Sequence, residues 1–442
     1  MSESSRRRFL FSLLGGAAAT LAAPAWVSAA PSVAGPGQVP GSRFGRHWAG
    51  SPEPPAGGDP DDEAYWARVK EQFPLAPGLI LMNAANLCPS PFPVQAAVFE
   101  HTRDVDRDAS FQNRDKFEVL KGEARAALAA YVGVSPEEIA INRNTSEGNN
   151  TVVNGLDLGA GDEVVLWDQN HPTNNVAWDV RARRWGFTVR RVATPTGTGD
   201  PRELAAPFLR ALTPRTRVLA FSQLSNVSGV LLPTRDLCHA ARERGVLTLV
   251  DGAQTFGALQ LDLHDMGCDV FTASSHKWFM GPKEVGIMYV RAGAQDRIWP
   301  SNVGVGWDGA LARGAQKFDN LGQRDDAAVV SMATAVAFHR TLGMAAVEGR
   351  VRYLSGRVME VVDAAFPRAR MHTPGEAESR GGVVVFGLPG ADHQATYRGV
   401  YKSHRVGCAA MGGEFDGIRL SPHVYNTLAE VKTAVEALAA HV

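Results

Sequence analysis

Cysteine is scarce in this chain. The four present among 442 residues, Cys88, Cys238, Cys268 and Cys408, lie far apart and form no CxxC pair. That spacing argues against a zinc site, and a chain this long needs no disulfide framework to fold. An excess of either charge is missing too. Lys and Arg number 45 against 46 Asp and Glu, giving a formal charge of −1 and a pI of about 6.9. Nothing in that balance points to nucleic acid or an anionic membrane as partner. Internal repeats are absent, and so is a long apolar run. The stretch from Phe9 to about Ala23 is short and Gly-rich against the roughly 20 residues a membrane-spanning helix requires.

What is present starts with a leader. Ser5-Arg6-Arg7-Arg8-Phe9-Leu10 precedes the apolar stretch, and Val27-Ser28-Ala29 offers a small-residue cleavage site. The order charged, apolar, small reads as a secretory signal rather than a membrane anchor. Adjacent arginines followed by Phe-Leu point to the twin-arginine branch, which carries folded proteins. A periplasmic or secreted protein, with the twin-arginine export machinery as a partner, is therefore expected. Residues 31 to 60, rich in Pro, Gly and Ser, read as a tether.

The whole chain is 45% hydrophobic and 21% charged, ordinary for a globular protein with a large core. Removing the leader leaves about 400 residues, which suggests two domains. From about 75 to 295 apolar strands alternate with helical segments, the α/β signature. Strands are expected at 138–141, 163–167, 188–192, 217–221, 247–250, 270–273 and 286–290, with helices at 147–156, 174–185 and 233–244 between them. A mostly parallel sheet covered on both faces follows. A long helix over 327–342 and a smaller α+β segment come next, with strands near 383–386 and 418–420. The division expected is a signal peptide at 1–30, a linker and N-terminal arm at 31–74, a large domain at 75–330 and a small C-terminal domain at 331–442, to which the N-terminal segment also contributes.

Ligands of open α/β sheets bind beyond the carboxyl ends of the strands. Polar clusters stand at five of those ends: Asn144-Thr145-Ser146-Glu147, Asn170-His171-Pro172-Thr173, Ser222 with Ser225-Asn226, Asp251-Gly252-Ala253-Gln254, and Ser274-Ser275-His276-Lys277. Thr145 and Ser146 at a helix start suit a phosphate, or simply cap the helix. Asp251 ends an apolar strand and must be paired there, in a site or in a structural salt bridge. Lys277 alone would read as a solvated surface charge. Together, Asp to hold a pyridinium proton, Lys to form a Schiff base and Ser/Thr for phosphate are the parts that pyridoxal 5'-phosphate (PLP) chemistry requires.

At these residues the sequence resembles the class V aminotransferase family of fold-type I PLP enzymes, which includes cysteine desulfurases, kynureninase and isopenicillin N epimerase. Six blocks carry the likeness in order from about Met82 to Thr427. They are Thr145-Ser146-Glu147-Gly148, Asn170-His171-Pro172 with Trp178, Ser225-Asn226 with Gly229, Val250-Asp251-Gly252-Ala253-Gln254, Ser275-His276-Lys277-Trp278 with Gly281-Pro282, and Arg419-Leu420-Ser421-Pro422 with Tyr425-Asn426-Thr427. The resemblance implies a large domain with a seven-stranded sheet, a smaller α+β domain, and a homodimer. It implies Lys277 as the Schiff-base lysine that later moves the Cα proton, Asp251 on the pyridine nitrogen, Gln254 on the phenolic oxygen and His171 against the ring. Thr145, Ser146, Ser274 and His276 would hold the phosphate, Arg419 the substrate carboxylate, and Asn226 would lie near the substrate or the phenolic oxygen.

Two departures stand out. Where the family often has Gly-Thr reaching the neighbouring subunit's phosphate, this chain has Gly322-Gln323. Cys408 lies roughly where desulfurases keep a nucleophile, but its flanks fit poorly, and a buried thiol is the plainer reading. Gly304-Val305-Gly306-Trp307-Asp308-Gly309 formally fits GxGxxG, yet no strand leads into it and no βαβ unit surrounds it. The function implied is action at the amino group or Cα of an amino acid or aminoacyl-containing metabolite, epimerase- or aminotransferase-like. The alternatives are a cysteine desulfurase or C–S lyase, and a non-catalytic binding protein on a PLP scaffold.

Overall fold

The computed structural model describes residues 57–442, which belong to one compact unit spanning Gly50–Val442. The leader and most of the tether lie outside the described residues.

The chain enters with a helix, Glu63–Lys70, that buries Tyr65, Trp66 and Val69 against Val347, Val351 and Tyr425. Arg350 fastens it, donating from Nη1 to the Pro60 carbonyl at 2.9 Å and to Glu63 Oε1 at 2.5 Å. A short strand β1 (Ile80–Leu81) follows, and then the large sheet. Its strands are β2 (Ile139–Asn142), β3 (Glu163–Trp167), β4 (Thr188–Val192), β5 (Thr216–Ser222), β6 (Leu247–Asp251), β7 (Val270–Ser274) and β8 (Gly286–Val290). Their order is β2-β8-β7-β6-β5-β3-β4. Only β8 runs against the rest, being antiparallel to both β7 and β2. The seven strands expected from sequence all form. β6 and β7 are buried at every residue and are mostly apolar, interrupted only by Thr248 and Thr272 before their polar ends, as strands covered on both faces tend to be. β4 closes the sheet with exposed Arg190 and Arg191, charges suited to an unpaired edge.

Two expectations are corrected. Glu138 does not open β2: it closes a tight turn, Pro136–Glu138, where its carboxylate accepts from the Ser135 and Ala292 N–H groups. The single helix expected over 327–342 is broken at Ser331 into Asp326–Val330 and Met332–Leu342. The Ser331 hydroxyl donates to the Ala327 carbonyl at 2.7 Å, a side-chain bond that competes with the backbone ladder and bends helices. After Gly343, at φ 83°, the longest helix described, Met344–Ala365, leaves at 75°.

The remaining strands are β9 (Arg370–Met371), β10 (Val384–Gly387), β11 (Val406–Gly407), β12 (Ala409–Met411) and β13 (Gly417–Leu420). Four form an antiparallel sheet in the order β12-β13-β10-β9, and β11 pairs in parallel with β1. Leu354, Val358 and Val362 of Met344–Ala365 and Val431 and Val435 of the last helix, Leu428–Ala439, cover it through Val384, Phe386 and Ile418. Among the described residues, no single helix is long and apolar enough to cross a membrane.

Candidate active site

Register brings the strand ends level. Ser222 of β5 pairs with Asp251 of β6, Asp251 with Thr272 of β7, and both Ser274 and Asn142 stand opposite Gly286. A cavity of about 280 Å³ opens at this edge, and nine of the ten residues singled out from sequence line it: Thr145, Ser146, His171, Asn226, Asp251, Gln254, Ser274, His276 and Lys277. Arg419 is not in its wall. Asn86, Asn144, Thr173 and Ser222 add further polar groups.

Asp251 is buried, and its partners are neutral. Oδ1 accepts the Ala253 N–H at 3.0 Å and Oδ2 accepts from Asn149 Nδ2 at 3.0 Å. The Asn149 amide is held in turn by Thr272 Oγ1, which donates to Oδ1 at 2.6 Å. Among the described residues Asp251 makes no ion pair, so the salt-bridge alternative falls away. The helix Thr145–Gly155 can deliver Asn149 because Gly148 lets it lie on the sheet. A Cβ at Gly148 would come 2.8 Å from both Thr272 Cγ2 and Asn142 Nδ2.

Lys277 follows β7, and its amine makes no hydrogen bond among the described residues. Burial depresses its proton affinity below the ordinary lysine value; Asp251 pulls it up again and Arg419 pushes it down. His171 caps the helix Pro172–Trp185, its Nδ1 lying 2.8 Å from Thr173 Oγ1. Burial, then Lys277, holds this ring below the usual histidine range, and burial with Lys277 and Lys283 takes His276 down to about 4. Both imidazoles are therefore neutral near pH 7.

At the start of Thr145–Gly155, Ser274 Oγ accepts the Thr145 N–H at 2.8 Å and lies 2.7 Å from Thr145 Oγ1, while Ser146 Oγ is 3.3 Å from Thr173 Oγ1. Hydroxyls gathered at a helix N-terminus suit an anion. Gln254 is more committed than the sequence suggests. Its Nε2 donates to the Ala85 carbonyl at 3.0 Å and its Oε1 accepts from Trp278 Nε1 at 2.8 Å, leaving one amide hydrogen. Arg419, on β13, sits just behind the wall. It donates from Nη1 to the Asn226 carbonyl at 3.0 Å and from Nη2 to Asn83 Oδ1 at 3.1 Å, while its buried Nε has no partner. Burial lowers it to about 10.

Cys408, between β11 and β12, is buried, and burial pushes its thiol up to about 12. Gln323 is exposed, accepting from Arg114 Nη2 at 2.8 Å and donating to the Arg324 carbonyl at 3.0 Å. Sequence reading missed Asn149, Thr272 and Asn83. Asn149 did carry a signal: it lies one helical turn beyond Thr145, on a helix that starts at the site.

An amine without a hydrogen bond, a buried carboxylate with neutral partners, paired hydroxyls at a helix start and an arginine with an unmet Nε fit PLP. Residues 102–433 match the family Aminotransferase class-V, and the chain belongs to it. The isopenicillin N epimerase of Amycolatopsis lactamdurans is 33% identical over 399 residues, covering 84% of this chain and 98% of that protein. A probable cysteine desulfurase of Methanothermobacter thermautotrophicus is 30% identical over 245 residues, 54% of this chain and 59% of that one. Among solved structures, a C-DES mutant with glycine covalently linked to its PLP cofactor has a TM-score of 0.77 at 25% identity, covering 84% of this chain and 99% of that one. The protein is thus a PLP-dependent member of the family, and its α/β fold is the one these enzymes share.

Proposed function

We propose that this enzyme works at the Cα–H bond or amino group of an amino acid or aminoacyl-containing metabolite, in the manner of an epimerase or aminotransferase, with Lys277 as its Schiff-base lysine. The observation that carries this reading is the unbonded Lys277 amine in one cavity with the neutrally partnered carboxylate of Asp251.

Bound PLP supplies the electron-withdrawing ring that lets a proton leave the substrate's Cα. The chain's residues do the rest. Asp251, held only by neutral donors, would meet the proton on the ring nitrogen. His171 would lie against the ring. Thr145, Ser146, Ser274 and His276 would hold the phosphate, and the spare amide hydrogen of Gln254 would be free for the phenolic oxygen. Arg419, bonded to the Asn226 carbonyl just behind the cavity wall, would serve the substrate carboxylate together with Asn226. Lys277, its proton affinity lowered by burial, would carry the proton from Cα and back.

Similarity to isopenicillin N epimerase over 84% of this chain and 98% of that protein supports Cα–H chemistry. A buried, protonated Cys408 disfavours a desulfurase that attacks through that thiol. A C–S lyase needing no such thiol is the second reading, favoured by likeness to the cystine C–S lyase C-DES at a TM-score of 0.77. We infer further that the protein is exported folded to the periplasm or beyond and acts as a homodimer. The arginine-led leader supports the first point, and the exposed Phe111, Val303 and Val305 support the second.

The test is α-proton exchange in D2O across amino acids and aminoacyl peptides, beside Lys277→Ala and borohydride mapping of the cofactor-bearing lysine. Exchange that vanishes in the variant, with the label on Lys277, is expected. Pyruvate and sulfide release instead would turn the assignment to the lyase. A label on another lysine would end it.

A further inference from the structure

The turn after Lys277 is held carbonyl by carbonyl. His276 O accepts the Cys88 N–H at 2.8 Å and Lys277 O accepts the Met280 N–H at 2.9 Å. The next two carbonyls are met by side chains: Trp278 O by His423 Nε2 and Phe279 O by His339 Nε2, each at 2.8 Å. A carbonyl only accepts, so each ring carries its hydrogen on Nε2. Each Nδ1 is then a bare acceptor, and both are buried without a partner among the described residues.

Both rings are fully enclosed. An apolar side chain would fill either space without leaving a buried nitrogen unmet, so packing alone does not account for two histidines here. The turn does need holding. Met280 sits at φ 53°, a left-handed conformation that is strained for a non-glycine residue. The two rings reach the turn from different elements of the fold. His339 comes from the helix Met332–Leu342 and stacks on the Phe279 ring, centroids 4.9 Å apart and planes at 11°. His423 comes from the chain just past β13, four residues beyond Arg419, with its backbone N–H held by Asn426 Oδ1 at 3.0 Å.

We propose that His339 and His423 are positioning residues that clamp the Trp278 and Phe279 carbonyls, fixing the Lys277 amine in place and, through His423, tying it to the strand that carries Arg419. This rests on the reading of Lys277 as the Schiff-base lysine. Neither histidine lines the cavity or touches the reacting atoms.

The test compares wild type with His423→Leu and His339→Leu, which remove the donor, and with His423→Gln, which keeps one. In PLP-free protein, the pH midpoint for acetylating Lys277 is read by peptide mass. An unclamped amine regains water, so the midpoint rises by about one pH unit in the Leu variants. PLP affinity, titrated separately, falls ~10-fold. His423→Gln restores both. Leu variants that melt earlier but keep the wild-type midpoint and affinity would overturn the clamp. Should they fail to fold, ring ¹⁵N shifts of wild-type holoenzyme decide. Nε2–H tautomers unchanged between pH 6 and 8 support it, and Nδ1–H tautomers or charged rings overturn it. A borohydride label mapping away from Lys277 in wild type overturns the lysine's role and the clamp with it. A label on Lys277 with unmoved Leu variants overturns the clamp alone.

Discussion

Asn149 Nδ2 donates to Asp251 Oδ2 at 3.0 Å, joining the helix that opens on the cavity to the carboxylate at the end of β6. Among the described residues no cation shares that contact, so Asp251 owes its fixed position to neutral donors. Asn149→Ala leaves one carboxylate oxygen buried and unmet, a loss of about 1–3 kcal/mol shared between stability and cofactor binding. A PLP titration followed by absorbance should show affinity down ~10-fold or more. Asn149→Asp should be worse, because it sets a second carboxylate against the first.

The sequence revealed the first layer of this site and little behind it. Lys277, Asp251, Ser274 and His171 stand where apolar strands stop, and a polar residue directly after a buried strand is conspicuous. Asn149, His339 and His423 lie inside a helix, inside another helix and in a turn, where a lone polar residue looks like any other. Their partners are a carboxylate and two carbonyls brought near by tertiary packing, and no periodicity encodes that. The central strands were legible because burial on both faces leaves them mostly apolar up to the polar residue at each end. The break at Ser331 was not, because it depends on one hydroxyl choosing a backbone carbonyl.

Gly257 sits at φ 90°, and a Cβ there would come 2.3 Å from Phe279 Cα. Strain and overlap act together against any side chain. Gly257→Ala should cost roughly 2 kcal/mol or more, visible as a lower melting temperature. Because the backbone displaced is the turn after Lys277, PLP affinity should fall along with it. A surface glycine such as Gly309, with open space around its Cβ, provides the control.

Cys408 is buried with its thiol pushed up to about 12, so almost none is thiolate near pH 7. Cys408→Ala should leave turnover unchanged and cost about 1 kcal/mol of stability through the small cavity it opens. Iodoacetamide should label Cys408 only in unfolded protein. Lost turnover in a folded variant would return the thiol to the chemistry.

The two clamp histidines also set a direction for stability against pH. Burial takes His339 from an ordinary value of 6.5 down to about 4, its bond to the Phe279 carbonyl opposing weakly; His423 falls to about 3 for the same reason, helped by His339. His276 near 4 adds a third such ring. Above pH 6.5 these rings are neutral both folded and unfolded, and they impose no pH dependence. Below it the unfolded chain binds protons that the folded chain refuses. Stability therefore drains as pH falls from about 6.5 towards 4 and has been lost in full only below the folded values. Carboxylates such as Glu63, held below their usual range by Arg350 and the Leu428 N–H against the cost of burial, weaken the fold in the same direction at the lower end of this window. The His339 share is isolated by subtraction. PLP-free wild type and His339→Gln are melted from pH 8 to pH 4. The wild type should lose more between pH 6.5 and 4 than the variant, which carries no ring to protonate there. Parallel curves would mean that His339 is not held neutral in the fold.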